Sequence, residues 1–168
     1  MIHVYTGEGK GKTTAALGLA LRALGQGKRV CLIQFMKKGD FGEIKAFKKY
    51  KKITVKQFGR RSFVNLKKPG LEDRQAAQKG IAYAKKAIKA RKYKLVILDE
   101  INVAVKFNLL PLAKVLSLLK KVPLSTEIVL TGRFAHAKIL KRADLVTEMK
   151  ARKHYFNKGI RARKGIEY

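Results

Sequence analysis

Six short apolar runs alternate with longer segments of helical periodicity, and this alternation strongly limits how the chain can fold. We predict strands at residues 2–5, 30–35, 53–58, 95–98, 128–130 and 145–149. Runs that are apolar on both faces, such as LVIL at 95–98, are typical of parallel strands covered by helices. Amphipathic segments such as 13–24 and 112–122 lie between the runs. The alternation predicts an α/β fold: a doubly wound, mainly parallel sheet of about six strands flanked by helices.

Length and composition favour one folded domain spanning residues 1–168, with 46% hydrophobic residues and only 3 prolines. The sequence contains no apolar run long enough to cross a bilayer. Met1 leads directly into the first predicted strand, so we expect no signal peptide. The single cysteine, Cys31, lies inside an apolar run and is expected to be a reduced core thiol. We therefore expect a cytoplasmic protein that does not bind membranes.

A glycine-rich segment, VYTGEGKGKTT at 4–14, joins the first predicted strand to the first predicted helix. Its glycines at 7, 9 and 11 let the backbone turn its amides toward an anion, where side chains would block a phosphate group. The helix N-terminus adds partial positive charge. Lys12 can reach phosphate oxygens, and the Thr13 hydroxyl can ligate Mg²⁺. The spacing is nevertheless one residue short, because Thr6 occupies the position where the P-loop pattern has its first glycine.

An acidic pair follows the most apolar of the predicted strands. Asp99 and Glu100 come directly after the run KLVIL and would lie at the same sheet edge as the glycine-rich loop. P-loop proteins use a carboxylate at such a strand end to hold the metal of a bound nucleotide. A nucleoside triphosphate with Mg²⁺ is therefore the ligand that these residues predict.

The charge leaves two further interpretations open. Forty Lys and Arg against eleven Asp and Glu give a formal charge of +29, which attracts nucleic acids and acidic partners alike. A P-loop ATPase acting on nucleic acid would suit this charge, although the sequence has no aromatic-rich basic platform for stacking bases. A nucleotide-binding regulatory protein without catalytic activity is the third interpretation.

Several motifs resemble those of the P-loop type of ATP:corrinoid adenosyltransferases, including the short loop. The resemblance covers nearly the whole chain and is carried by GEGKGKTT (7–14), RALGQGKRV (22–30), QFMKKG (34–39), VILDEIN (96–102), LPL (110–112), LTGR (130–133) and KHYFNKGIRARKGIEY (153–168). It implies a P-loop NTPase-like (RecA-like) fold. It also implies that the Co(I) centre of a reduced corrinoid attacks the 5′ carbon of ATP and that triphosphate leaves.

The resemblance also assigns roles to residues. It implies that ATP is bound by Gly7, Glu8, Gly9, Lys10, Gly11, Lys12, Thr13 and Thr14, to which we add Arg133 after the fifth strand. Thr13 and Glu100 would hold Mg²⁺, with Asp99 as an additional candidate. Lys12, Thr13 and Glu100 are thus the candidate catalytic residues. We expect His136 to start a helix and not to act as a ligand or base.

Two departures from the family pattern concern the corrinoid side. The family carries an aromatic pair, commonly including Trp, in the loop after the third strand, whereas this chain has no Trp and offers Phe63 as the candidate corrin contact. Relatives also carry a segment before the first strand that helps to cover the site, so we expect another segment or a second subunit of a homodimer to cover it here. An acidic flavoprotein reductase is the expected electron donor, with no specific nucleic-acid partner.

Overall fold

The computed structural model describes residues 1–60, 65–66 and 68–167. Its strands are β1 (Ile2–Thr6), β2 (Val30–Phe35), β3 (Ile53–Phe58), β4 (Leu95–Asp99), β5 (Glu127–Thr131) and β6 (Leu145–Glu148). Its helices are α1 (Lys12–Gly25), α2 (Gly42–Phe47), α3 (Leu71–Lys89), α4 (Ile101–Lys106), α5 (Leu112–Leu119) and α6 (Ala137–Leu140), followed by a 3₁₀ turn at Tyr155–Lys158. The predicted strands all form, with ends that differ by one residue at most.

The described strands form one six-stranded parallel sheet in the order β3-β2-β4-β5-β1-β6. This order places β5 between β1, which leads into the glycine-rich loop, and β4, which carries the acidic pair. Because parallel strands all end on the same side of the sheet, the C-terminal ends of β1, β2, β4 and β5 lie next to one another. The predicted α/β class with a mainly parallel sheet is therefore confirmed.

Two apolar layers cover the faces of the sheet. One packs α1 and α2 against residues such as Leu32 and Ile97, and the other packs α3, α4 and α5 against residues such as Ile33 and Leu98. Strands β2 and β4 are buried along their whole length, as their continuous apolar runs predict. None of the helices in the described ranges combines the length and the apolar character needed to cross a bilayer.

Strand β6 differs from the other apolar runs because all four of its residues are exposed. It lies at the edge of the sheet, where it pairs with β1 on one side. Apolar character therefore predicted the strand correctly, but its position at the edge keeps Leu145 and Val146 from being buried.

Candidate functional site

The glycine-rich loop packs against the chain that follows β6. The Gly9 N–H donates to the Met149 carbonyl oxygen over 2.6 Å. A Cβ atom at Gly7 would lie 2.5 Å from that oxygen, and one at Gly9 would lie 2.7 Å from it. A side chain at Gly7 or Gly9 would thus collide first with the Met149 backbone. The sequence prediction considered only access of phosphate and did not include this constraint. Gly11, at φ 118°, caps the start of α1 in a conformation that favours glycine.

Lys12 reaches back over the loop that precedes it. Its ammonium group donates to the carbonyl oxygens of Gly7 at 2.7 Å and Gly9 at 2.6 Å. Burial lowers the pKa of Lys12, an effect that the nearby Glu100 carboxylate opposes. The Lys12 charge therefore lies directly above the backbone that the sequence predicts to surround phosphate groups.

Asp99 is fully buried at the end of β4 and is held by four side chains. Its Oδ1 accepts hydrogen bonds from the Thr13 hydroxyl at 2.8 Å and the Thr131 hydroxyl at 2.7 Å. Its Oδ2 accepts one from the Gln34 amide at 3.2 Å and forms an ion pair with Lys37 at 2.9 Å. This network joins the start of α1 to the ends of three neighbouring strands.

Glu100 points into the cavity next to the loop. Its backbone has φ 64°, an uncommon conformation for a residue other than glycine, and its N–H donates to the Thr131 hydroxyl oxygen at 2.9 Å. Burial raises the pKa of the Glu100 carboxyl, and the neighbouring Asp99 charge raises it further. Lys37, Lys12 and Arg133 act in the opposite direction. Its carboxylate thus lies close to cations on the same cavity wall as Thr13.

These oxygens fit a magnesium ion that a nucleotide brings with it. Among the described residues, no group of three or more His, Cys, Asp or Glu is placed to hold a metal alone. Mg²⁺ typically takes one or two protein oxygens and completes its octahedron with phosphates and water. The Thr13 hydroxyl and the Glu100 carboxylate, which line one cavity, supply that number of ligands. Asp99 contacts Thr13 directly and so orients its hydroxyl.

Lys10 is engaged by the C-terminal residues of the described chain. Its ammonium lies 2.8 Å from Glu167 Oε1, 2.7 Å from the Tyr155 hydroxyl and 3.3 Å from the Ile166 carbonyl oxygen. Tyr155 and Arg163 also hydrogen-bond Glu167. We call residues 150–167 the C-terminal tail; it covers one side of the loop, so that Lys10 faces the tail.

A cavity of about 470 Å³ lies above the loop. Loop residues from Glu8 to Thr14 line it together with Glu100, Arg133, His154 and the tail residues Ile166 and Glu167. Arg133 is half-exposed and lies 3.4 Å from the Glu8 carboxylate. The structure thus brings Glu8 to Thr14, Glu100 and Arg133 to one cavity, whereas Gly7 and Asp99 do not line it.

Phe63 and His136 are the remaining residues that the sequence analysis considered. Phe63 lies outside the described residues. His136 caps the start of α6, where its Nδ1 accepts a hydrogen bond from the Lys138 N–H at 3.1 Å, so it has the helix-start role that we expected.

Three residues that touch Asp99 were not singled out from the sequence: Gln34, Lys37 and Thr131. Gln34 and Lys37 lie in the motif QFMKKG at the end of β2, and Thr131 lies in LTGR at the end of β5. Their polar character at the ends of apolar strands was an available signal. Their convergence on one carboxylate depends on the strand order, which periodicity alone does not give.

Comparisons with known proteins agree with this geometry. The family model described as ATP:corrinoid adenosyltransferase BtuR/CobO/CobP matches residues 1–168. A corrinoid adenosyltransferase of Escherichia coli strain K12 is 36% identical over 171 residues, covering 100% of this chain and 85% of the relative. One from a Sinorhizobium species is 37% identical over 178 residues, covering 100% of this chain and 80% of the relative. One from Pseudomonas aeruginosa is 34% identical, covering 100% and 83%.

A solved structure resembles the fold at much lower identity. The crystal structure of the KaiC-like protein PH0186 from Pyrococcus horikoshii OT3 superposes with a TM-score of 0.57 at 18% identity. The match covers 88% of this chain and 71% of that one. It supports a P-loop NTPase-like (RecA-like) fold.

Proposed function

The chain belongs to the ATP:corrinoid adenosyltransferase family, and we propose how its residues carry out the reaction of that family. The enzyme transfers the 5′-deoxyadenosyl group of ATP to the cobalt of a reduced corrinoid. The Co(I) centre supplies the electron pair for the new bond to C5′. The C5′–O bond breaks, and triphosphate leaves with that bonding pair. The family model and the curated relatives support this reaction and not the nucleic-acid ATPase.

The main task of the protein is to stabilise the leaving triphosphate. Co(I) is itself a strong nucleophile, so the reaction needs no general base. Charge develops on the leaving oxygens, and preorganised cations and backbone amides lower the barrier most effectively. Lys12, the loop amides and the N-terminus of α1 would supply this stabilisation. The position of the Lys12 ammonium, within 2.7 Å of two loop carbonyls, is the observation on which this proposal rests.

Thr13 and Glu100 would hold Mg²⁺ at the same cavity. When bound, the ion would neutralise part of the triphosphate charge. Asp99 would serve the site indirectly, because its carboxylate accepts a hydrogen bond from the Thr13 hydroxyl and so leaves the lone pairs of that oxygen available. Arg133 lines the cavity and would contact phosphate after exchanging its 3.4 Å contact with Glu8 for the ligand.

Lys10 would contact the ATP phosphates, and Phe63 would contact the corrinoid. Lys10 would add charge near the phosphates once the tail residues release it. Phe63, which lies outside the described residues, stays our candidate corrin contact.

The proposal extends to partners and location. The formal charge of +29 favours an acidic flavoprotein reductase as the electron donor to cobalt. A homodimer is supported by the exposed apolar residues Leu145 and Val146 on the sheet edge. A cytoplasmic location is supported by the single buried thiol, Cys31.

Identification of the phosphate product tests the proposed chemistry. The protein would be incubated with ATP, Mg²⁺ and chemically reduced cobalamin, and the products followed by phosphorus NMR. We expect intact triphosphate in amounts equal to the alkylated corrinoid. Orthophosphate and ADP as the main products would contradict the proposal. The Thr13→Ala variant should lower the yield, whereas Thr13→Ser, which keeps the hydroxyl, should retain most of it.

A further inference from the structure

A cation that has no role in the proposed reaction, Lys37, lies beside the proposed metal site. Lys37 lies just beyond β2, and its ammonium is 2.9 Å from Asp99 Oδ2 and 3.8 Å from Glu43 Oε1. It also lies 5.5 Å from the centre of the Phe41 ring. The Lys37 side chain is 27% exposed, so its charge lies in the wall of the site and not in bulk solvent.

The backbone around Lys37 fixes where this charge lies. Met36, the preceding residue, has φ 63°, and its N–H donates to the Phe58 carbonyl oxygen at 3.0 Å. A Cβ atom at Gly59 would lie 2.3 Å from the Lys37 backbone nitrogen, so only glycine allows this close approach of the two strand ends. Close packing of the two strand ends therefore fixes the backbone of Lys37, from which its side chain reaches Asp99.

Lys37 belongs to the same cavity wall as the proposed metal ligands. A second cavity of about 420 Å³ is lined by Thr13, Thr14, Lys37, Glu43 and Glu100. A divalent ion bound to Thr13 and Glu100 would therefore lie close to a fixed ammonium charge. At an effective dielectric constant of about 20, an ammonium about 4 Å from a divalent ion would weaken binding of that ion by far more than tenfold.

We propose that Lys37 is a positioning residue that keeps a lone divalent cation from binding at Thr13 and Glu100, so that Mg²⁺ enters together with ATP. This inference rests on the proposed metal role of Thr13 and Glu100. Without nucleotide, the Lys37 ammonium neutralises Asp99 and repels the ion. With nucleotide, the negative triphosphate outweighs that repulsion, and Lys37 remains as a fixed charge that holds Asp99 against Thr13.

Binding of Mn²⁺, measured by water-proton relaxation, separates this role from a purely structural one. The key variant is Lys37→Gln, which removes the charge but keeps an N–H donor for Asp99. Lys37→Arg keeps the charge. Lys45→Gln removes one equal charge from α2, where Lys45 pairs with the exposed Asp40. Each protein is titrated with Mn²⁺ alone and again with ATP present.

Without ATP, we expect Lys37→Gln to bind Mn²⁺ at least tenfold more tightly than wild type, while Lys37→Arg and Lys45→Gln bind as weakly as wild type. Equal Mn²⁺ affinity of Lys37→Gln and wild type would overturn the inference, as would equal tightening in Lys45→Gln. If circular dichroism shows that Lys37→Gln is unfolded, Lys37→Met, whose chain can still pack on Phe41, takes its place. If wild-type protein does not enhance water-proton relaxation by Mn²⁺ even when ATP is present, the proposed metal site itself is wrong, and the inference fails with it.

Discussion

The Thr13 hydroxyl donates a 2.8 Å hydrogen bond to the buried carboxylate of Asp99, and this contact joins the start of α1 to the end of β4. The Thr131 hydroxyl donates to the same carboxylate oxygen at 2.7 Å. Thr131 ends β5, which lies between β4 and β1 in the sheet. The orientation of the Thr13 side chain is thus fixed by the sheet. Glu100, the next residue along the chain, is left to face the cavity.

We predict that Lys12→Ala lowers adenosyl transfer at least about a hundredfold, because the leaving triphosphate loses its main side-chain cation. Loss of one such preorganised group costs on the order of 3 kcal/mol of transition-state stabilisation. The measurement is kcat/KM for ATP with chemically reduced cobalamin. Lys120→Ala, which removes an equal charge at the end of α5, is the control and should stay near wild type. A Lys12→Ala rate within threefold of wild type would show that the loop does not stabilise the leaving group.

We predict that Glu100→Gln raises the Mg²⁺ concentration needed for half-maximal transfer by about tenfold or more, because a neutral amide is a poorer ligand for a hard cation. The measurement is a Mg²⁺ titration at saturating ATP. Glu127→Gln is the matched control, since Glu127 lies at the N-terminal end of β5, away from the site at its C-terminal end. An unchanged Mg²⁺ requirement together with loss of ATP hydrolysis would instead identify Glu100 as a water-activating base.

Glu167→Gln should loosen the C-terminal tail, because the Lys10 ammonium loses its carboxylate partner. We expect trypsin to cleave at Arg161, Arg163 or Lys164 several-fold faster in this variant, as followed by mass spectrometry. Glu72→Gln, which removes an exposed partner of Arg60, should leave the cleavage rate unchanged. Equal rates in wild type and Glu167→Gln would show that the carboxylate does not hold the tail.

The same contact has a pH dependence whose sign is fixed by the ionisation of Glu167. Its hydrogen bonds, first of all with Lys10, hold the pKa of Glu167 well below the ordinary value of 4.5. Because its pKa is lowered in the folded protein, the ionised Glu167 stabilises the folded tail at pH values above 4.5. This stabilisation is lost progressively as the pH falls below 4.5. Cleavage by an acid-tolerant protease should therefore accelerate toward low pH in wild type and much less in Glu167→Gln.

The buried thiol provides a prediction about the core. Burial raises the pKa of Cys31 from 9.0 to about 12. In this pH interval the unfolded chain releases the thiol proton and the folded chain does not, so the free energy of unfolding should fall as pH rises from 9.0 toward 12. At mildly alkaline pH, Ellman's reagent should react with Cys31 slowly in the native protein and rapidly in urea. Rapid reaction of the native protein would contradict the burial of this side chain.

The sequence predicts the strands and the loop well because their signals are local. Apolar runs such as β4, and a glycine-rich turn before α1, depend on neighbouring residues alone. The contacts of Lys10 with Tyr155 and Glu167 join residues about 150 positions apart, so no periodicity indicates them. They depend on β6 pairing beside β1, which brings the C-terminal tail to the loop.

The network around Asp99 shows the same limit. The end of β4 predicts an acidic residue near the metal, but Lys37 and Thr131 reach it from strands on either side. The strand order decides which of several polar strand ends meet. The burial of Asp99, from which we propose its indirect role beside Glu100, also follows from that order.

Formation of the cobalt–carbon bond tests the central claim most directly. Absorbance of chemically reduced cobalamin would be followed with wild-type protein, ATP and Mg²⁺, with and without an oligonucleotide, at low salt and at about 0.3 M salt, where surface charges are largely screened. We predict the spectrum of the alkylated corrinoid at both salt concentrations, with little response to the oligonucleotide at the higher one. Salt-resistant stimulation of ATP hydrolysis by the oligonucleotide, with no alkylated corrinoid, would contradict the account.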